Sequence, residues 1–300
     1  MENPTLDLKE LKRLYAQQVN IMGLFRELSG TTQNTTDAIL VSYDLQSGSY
    51  VNAFENPEQR AKHERYTAEI ASILGPLGAA SVLEAGVGEA TTFCTALAKL
   101  PHPPETIAGF DISWSRISYA RKFAERFGLQ RAQFFTGDLF QIPVVDAAFD
   151  LVYTAHAIEP NHGREREVLA ELYRVARRWV VLFEPSYELG AAATRQRIEE
   201  HGYCRGLPAL ARELGYEIVE HCLLKNVMRE NNETAVLVIR KPAPEAPPPA
   251  QFLACPSCGR ALEIVRGHNF CADCSLVFPV LDGLPCLLAG NGILASKFKD

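Results

Sequence analysis

Apolar residues near the start of the chain fall three or four apart: Leu8, Leu11, Tyr15, Val19, Met22 and Phe25. This spacing puts them on one stripe of a helix, so residues 6–28 are expected to form one amphipathic helix that needs a partner. The polar stretch from Ser29 to Thr36 ends it. Asn56 followed by Pro57 reads as an N-cap with proline in the first turn, opening a second helix that stops near Gly75-Pro76. Residues 1–75 are thus expected to be a mostly helical cap or lid.

From Ser81 the rhythm changes to short β-rich runs: Val82–Glu84, Ile107–Asp111, Gln133–Thr136, Phe149–Thr154, Trp179–Glu184, Ile218–Leu224 and Ala235–Ile239. The first five alternate with helical stretches, which predicts a parallel sheet covered on both faces. The last two are close together and predict an antiparallel hairpin. Residues 76–240 therefore read as one α/β domain. The segment 241–250, KPAPEAPPPA, holds five prolines and joins neither sheet nor helix. As polyproline II it is a semi-rigid spacer of up to roughly 30 Å, setting residues 251–300 apart as their own module.

With 47% apolar and 22% charged residues, 300 residues suffice for a globular chain with a sizeable core. No apolar run approaches a membrane span, and charges interrupt the first stretch before a signal-peptide core develops. No membrane partner and a cytoplasmic address are the expectations. The net charge is −6, with seven basic against ten acidic residues in 1–75 and five against five in 241–300. No segment is basic, which disfavours nucleic acid as a partner and favours a small molecule.

Between the first strand and its helix lies Glu84-Ala85-Gly86-Val87-Gly88-Glu89-Ala90. Glycines let the chain turn sharply and let a ligand approach the backbone, and the helix that follows presents free N–H groups. Asp111, at the end of the second strand, stands 23 residues after Gly88, where a carboxylate can accept both hydroxyl protons of a ribose. The third strand ends Thr136-Gly137-Asp138-Leu139, which places another carboxylate at the same edge, within reach of an adenine amine. Together they imply a nucleoside ligand.

On these residues the chain resembles the class I S-adenosylmethionine-dependent methyltransferases, most closely the branch with quinone and sterol methyltransferases, over about residues 80–240. The resemblance implies a Rossmann-like seven-stranded sheet whose last strand is antiparallel, and S-adenosylmethionine as cofactor. It also implies that Glu84 and Gly86 line the methionine part, Asp111 with Ile112 holds the ribose, and Asp138 with Leu139 frames the adenine. The family's third glycine is Ala90 here. Dinucleotide binding is the main rival. Tyr43-Asp44-Leu45-Gln46-Ser47-Gly48-Ser49-Tyr50 is similar to a segment that folds over the donor in related small-molecule enzymes. There Tyr50 would pack near the sulfonium and Gln46 would hydrogen-bond beside it; otherwise these are loop residues packed on the domain.

The fourth strand runs into Ala155-His156-Ala157-Ile158-Glu159-Pro160-Asn161-His162-Gly163, at the edge where open α/β sheets place substrates. An oxygen or nitrogen acceptor must lose a proton, and a histidine or carboxylate can take it. His156 is the expected general base or orienting residue, Glu159 its catalytic partner, and Asn161, His162 and Glu184 the acceptor contacts. Each has a structural alternative: His156 bonding a loop, Glu159 bracing it, Asn161 or His162 capping the next helix, Glu184 holding a loop amide. Arg26, Arg195 and Arg197 could pair with an acidic acceptor, or, as isolated surface arginines usually do, only solvate a helix. The signature of amino-methylating DNA and glutamine enzymes is absent.

Cys255-Pro256-Ser257-Cys258 and Cys271-Ala272-Asp273-Cys274 are two CxxC pairs. Four thiolates at this spacing provide the tetrahedral sulfur set that Zn²⁺ favours, with no open position for catalysis. The segment after them, through Asp282-Gly283 to Cys286, looks like the zinc-ribbon family typified by the small activator subunit of tRNA, rRNA and release-factor methyltransferases. A structural ribbon is expected, docked on the methyltransferase domain or mediating homodimer contacts. The expected function is methyl transfer to an oxygen or nitrogen of a small molecule such as an amino acid, sugar or secondary metabolite. The alternatives are an RNA or protein methyltransferase that docks substrate on the ribbon, and a non-catalytic donor-binding scaffold.

Overall fold

In a computed structural model, described over residues 7–300, the helical region is finer than the stripe suggests. Two helices, α1 (Leu8–Ala16) and α2 (Ile21–Ser29), replace the single one expected. The break has a local cause. Gln18 adopts a left-handed φ of 63°, and the Asn20 side chain accepts the Gly23 amide at 3.0 Å, capping a new helix. The stretch from Tyr43 to Tyr50 spans the end of α3 (Thr36–Leu45) and the start of α4 (Ser49–Glu55). Helix α5 (Pro57–Leu74) starts as expected, with Asn56 Oδ1 accepting the amides of Glu58 and Gln59.

The α/β region then runs β1 (Ser81–Ala85), α6 (Thr91–Leu97), β2 (Thr106–Asp111), α7 (Trp114–Arg126), β3 (Gln133–Thr136) and β4 (Phe149–Ala155). It continues α8 (Glu165–Val175), β5 (Ala176–Pro185), α9 (Ala192–His201), α10 (Leu207–Glu213), β6 (Glu217–Leu223) and β7 (Thr234–Arg240). The seven strands pair in the order β3-β2-β1-β4-β5-β7-β6, with β7 antiparallel to both neighbours. Strand β1 lies between β2 and β4. The connections leaving β1 and β4 therefore diverge, and a crevice opens at their carboxyl ends.

Alternating strand residues feed two cores. Val82, Ile107 and Phe134 face Ile70, Phe93 and Phe123 of α5, α6 and α7. Leu83, Ala85 and Phe135 face the other side with Val168 and Leu172 of α8. The β3–β4 connection contains no helix, so α8 and α10 leave part of this second face without a helical cover.

The C-terminal residues supply it. Their strands are β8 (Glu263–Val265), β9 (His268–Cys271), β10 (Leu276–Phe278), β11 (Val280–Leu281), β12 (Leu284–Pro285) and β13 (Ile293–Leu294). Four of these form a sheet in the order β13-β10-β9-β8. Phe252, Leu253, Phe278 and Leu287 are buried in the same core as Phe135, Phe149 and Val144. Backbone bonds complete the joint: Val145 N donates to Phe252 O at 2.9 Å, Ala254 N to Pro143 O at 2.9 Å, and Leu287 N to Thr136 Oγ1 at 2.8 Å. The proline-rich segment does not hold the module at a distance, and Arg177 donates to Ala246 O within that segment at 2.7 Å. No helix among the described residues is long and apolar enough to cross a membrane.

Candidate active site

A cavity of about 520 Å³ opens at the crevice between the β1 and β4 connections. Glu84, Asp111 and Asp138 all line it, together with Gly86, Ile112 and Leu139. Each acid is held by local structure. Asp111 accepts the amides of Gly88 at 3.0 Å and Ser113 at 2.9 Å, and Asp138 that of Phe140 at 3.0 Å. Gly86 has a φ of +75°, and a Cβ there would lie 2.3 Å from the Ala157 Cβ, so glycine alone lets the two loops meet. Ala90, in place of a third glycine, takes a left-handed φ of 57°.

Glu84 is 2% exposed and accepts the Tyr153 hydroxyl at 2.5 Å. Burial pushes its carboxyl up to about 8; the tyrosine bond opposes this and the Asp111 charge adds to it. Below that pH the acid is mostly neutral. A cationic ligand that favours the carboxylate should displace its proton and bind more tightly as pH rises towards 8. Calorimetry of S-adenosylmethionine binding at pH 7, in buffers of different ionisation enthalpy, is expected to show release of close to one proton, and none from Glu84→Gln. Equal proton release from both would separate Glu84 from the ligand.

The cap segment is fastened to this edge by residues that sequence patterns did not reveal. Glu89, 2% exposed, accepts the amides of Gly48 at 2.9 Å and Val51 at 2.8 Å, which caps α4 from the glycine loop. Ser113 Oγ donates to Asp44 at 2.7 Å. Gln46 and Tyr50 both line the cavity, but the charge on the tyrosine face is the Arg116 guanidinium. Its carbon lies 4.8 Å from the Tyr50 ring centroid and 4.7 Å from that of Tyr43, and Nη2 reaches Gln46 Oε1 at 3.4 Å. A buried arginine one turn into α7 is the only trace of this arrangement in the sequence.

At the β4 end, His156 and Glu159 line the cavity as a pair, with Nδ1 and Oε2 3.0 Å apart. His156 has a left-handed φ of 59°, and its amide bonds Phe183 O at 2.9 Å. Burial alone would lower the imidazole pKa. The Glu159 and Glu184 carboxylates outweigh it, and the net shift is upward. The second nitrogen, Nε2, lies 3.0 Å from Thr234 Oγ1. Both ring nitrogens are thus engaged within the protein. Glu159 Oε1 has no hydrogen-bond partner among the described residues.

The expected acceptor contacts divide. Glu184 accepts the amides of Ala157, Ile158 and Glu159 at 3.0–3.2 Å and does not line the cavity, so it positions the loop. Those three bonds coexist with a carboxyl raised by burial to about 7. His162 pairs with Glu165 at 2.8 Å and also lies off the cavity wall. Asn161 reaches the wall, yet its amide bonds Ala157 O at 3.1 Å and Ile158 O at 3.3 Å. Of the three candidate arginines only Arg197 lines the cavity; Arg26 bonds Asn34 and His201 O, and Arg195 bonds Gly190 O. Tyr203, Arg229 and Asn232 complete that wall from positions with no sequence signal.

In the C-terminal module, one sulfur from each of Cys255, Cys258, Cys271 and Cys274 lies within 4.8 Å of the others. A tetrahedral ion with 2.3 Å bonds to sulfur requires separations of about 3.8 Å, so the donor set fits one metal ion.

Residues 82–178 match the family model described as "Methyltransferase domain". No curated protein matches the chain. Similar solved structures include magnesium protoporphyrin IX methyltransferase from Synechocystis with bound SAH, at 15% identity and a TM-score of 0.47, covering 78% of this chain and 100% of that one. The [4+2]-cyclase SpnF is 16% identical with a TM-score of 0.48, covering 60% and 81%. A SAM-dependent methyltransferase from Aquifex aeolicus is 14% identical with a TM-score of 0.42, covering 56% and 87%. The cavity-lining loops after β1, β2, β3 and β4 all fall within the residues, 82–178, that match the methyltransferase-domain model.

Proposed function

We propose that the protein transfers a methyl group from S-adenosylmethionine to an oxygen or nitrogen atom of a small-molecule acceptor. The observation that carries this reading is the convergence of Glu84, Asp111 and Asp138 on one cavity. Glu84 and Gly86 would hold the methionine part, Asp111 and Ile112 the ribose, and Asp138 and Leu139 the adenine. The donor supplies a methyl group already activated on a sulfonium, so the chain's own work is alignment, exclusion of water and removal of the acceptor's proton.

That proton goes to Glu159 Oε1. His156 acts through Glu159: its Nδ1–H holds Oε2, its Nε2 is fixed by Thr234, and its raised pKa favours an imidazolium that balances the carboxylate. The four cysteines would hold a structural Zn²⁺, with every coordination position filled by sulfur.

Asp111→Ala tests the donor reading. Losing a charge-assisted contact of about 1.5–3 kcal/mol should weaken S-adenosylmethionine binding by roughly 10–150-fold. The variant also leaves the Gly88 and Ser113 amides without their acceptors, one on each carboxylate oxygen, so it is compared with Asp111→Asn, which keeps one of the two, and a thermal midpoint near the parent's is required of both. Unchanged affinity in both would remove the ribose assignment.

A further inference from the structure

Two guanidiniums on the outer wall of the cavity have no part in donor binding or proton transfer: Arg197 on α9 and Arg229 between β6 and β7. Neither joins an ion pair among the described residues. Arg197 lies over the Tyr203 ring at 5.7 Å and beside His201 Nε2 at 3.4 Å, and its Nε is buried without a hydrogen-bond partner. A buried donor left unpaired costs on the order of 1–3 kcal/mol, so a ligand that accepts from the Arg197 guanidinium gains by it.

The acids that line the cavity are already engaged. Glu84 holds Tyr153, Glu89 and Asp111 hold amides, Asp138 holds the Phe140 amide, and Glu159 holds His156. Both arginines act on the same group as the proposed base. Burial and the Glu159 charge push the Tyr203 hydroxyl up, while Arg197 and Arg229 pull it down. Arg229 also acts on His156. Arg197, Arg229, Tyr203 and Glu159 all line the one cavity, so an anion held by the arginines would share it with the proposed base. Met22, Ile39, Ala53 and Met228 line the same space, which suits an apolar body.

We infer that Arg197 and Arg229 bind a carboxylate of the methyl acceptor, so the acceptor is an organic acid with an apolar frame. This rests on the methyltransferase reading and adds the substrate's chemical class. A guanidinium meets a carboxylate with two parallel N–H bonds, and such charge-assisted pairs are about twice as strong as neutral ones. The neutral amide of the same acid lacks the charge.

The test is a binding screen of matched acid and primary-amide pairs, namely benzoates, phenylacetates, cinnamates and six- to ten-carbon fatty acids. It is run on the full chain with and without saturating S-adenosylhomocysteine. Acids are expected to bind at least tenfold more tightly than their amides. Arg197→Gln/Arg229→Gln should lose that preference while its affinity for S-adenosylhomocysteine stays within twofold of the parent. The inference is overturned if no acid binds, if amides bind as well as acids, or if the preference survives both substitutions. If S-adenosylhomocysteine does not bind, the donor reading falls, and the acid–amide comparison made without it still decides the arginine site.

Discussion

Glu159→Gln is expected to lower kcat by about 10²–10⁴, the range that general-base catalysis supplies. The substitution keeps the shape of the side chain and an oxygen for the His156 Nδ1–H, while removing the ability to take a proton. Affinity for S-adenosylhomocysteine should stay within twofold, because the donor-side acids Glu84, Asp111 and Asp138 belong to other loops. Since His156 is placed as acting through Glu159, His156→Asn added to Glu159→Gln should cost little more than Glu159→Gln alone. Full turnover in the glutamine variant, measured with the acids selected by binding, would move the proton acceptor elsewhere. Additive losses would give His156 an independent role.

Stripping the metal is the second large effect. Four apolar side chains of the C-terminal module, Phe252, Leu253, Phe278 and Leu287, are buried in the core of the α/β sheet. At roughly 1.5–3 kcal/mol each, their burial contributes on the order of 6–12 kcal/mol, an upper estimate because unfolded chains bury some of it already. A module of about 50 residues has too little core of its own, so an ion held by the four cysteines would fix the shape that presents these residues. Removing the proposed Zn²⁺ with a strong chelator, or substituting Cys271→Ser, should therefore lower the thermal midpoint by about 10 °C or more and expose apolar surface to a dye such as ANS. Donor binding should weaken in parallel, because Thr136 Oγ1, which accepts Leu287 N, lies two residues before Asp138. An unchanged midpoint after complete metal loss would show that the module stands without it.

Much of this architecture was legible from local patterns. Six of the seven strands of the large sheet fall within one residue of the expected runs, most of them buried apolar segments with a sharp end, while β5 starts three residues earlier, at Ala176. The same logic located Asn56 as a cap and Glu84, Asp111 and Asp138 at one edge, since topology brings strand ends together whatever the side chains. Periodicity could not distinguish one helix from two between Leu8 and Phe25, because the break depends on the left-handed Gln18 and the Asn20 cap, which leave the apolar spacing intact. Partners distant in sequence were also hidden. Thr234 on His156 joins positions 78 residues apart, and Glu89 on Gly48 joins positions 41 apart. Glu184 illustrates the reverse. Its place at the end of β5 was foreseen, but a buried carboxylate facing three free amides satisfies them before any ligand can.

The missing helix between β3 and β4 also has a consequence for how the chain is made. During synthesis from the N-terminus, every strand of the large sheet leaves the ribosome before the residues that cover its second face. Until Phe252 to Leu287 emerge and capture an ion, Phe135 and Phe149 lack their lid and β3 is an open edge, both invitations to aggregate. A nascent chain paused near the proline-rich segment would be a natural client for a chaperone. The cell's supply of the ion would then govern how much enzyme accumulates, as well as how long each finished molecule lasts.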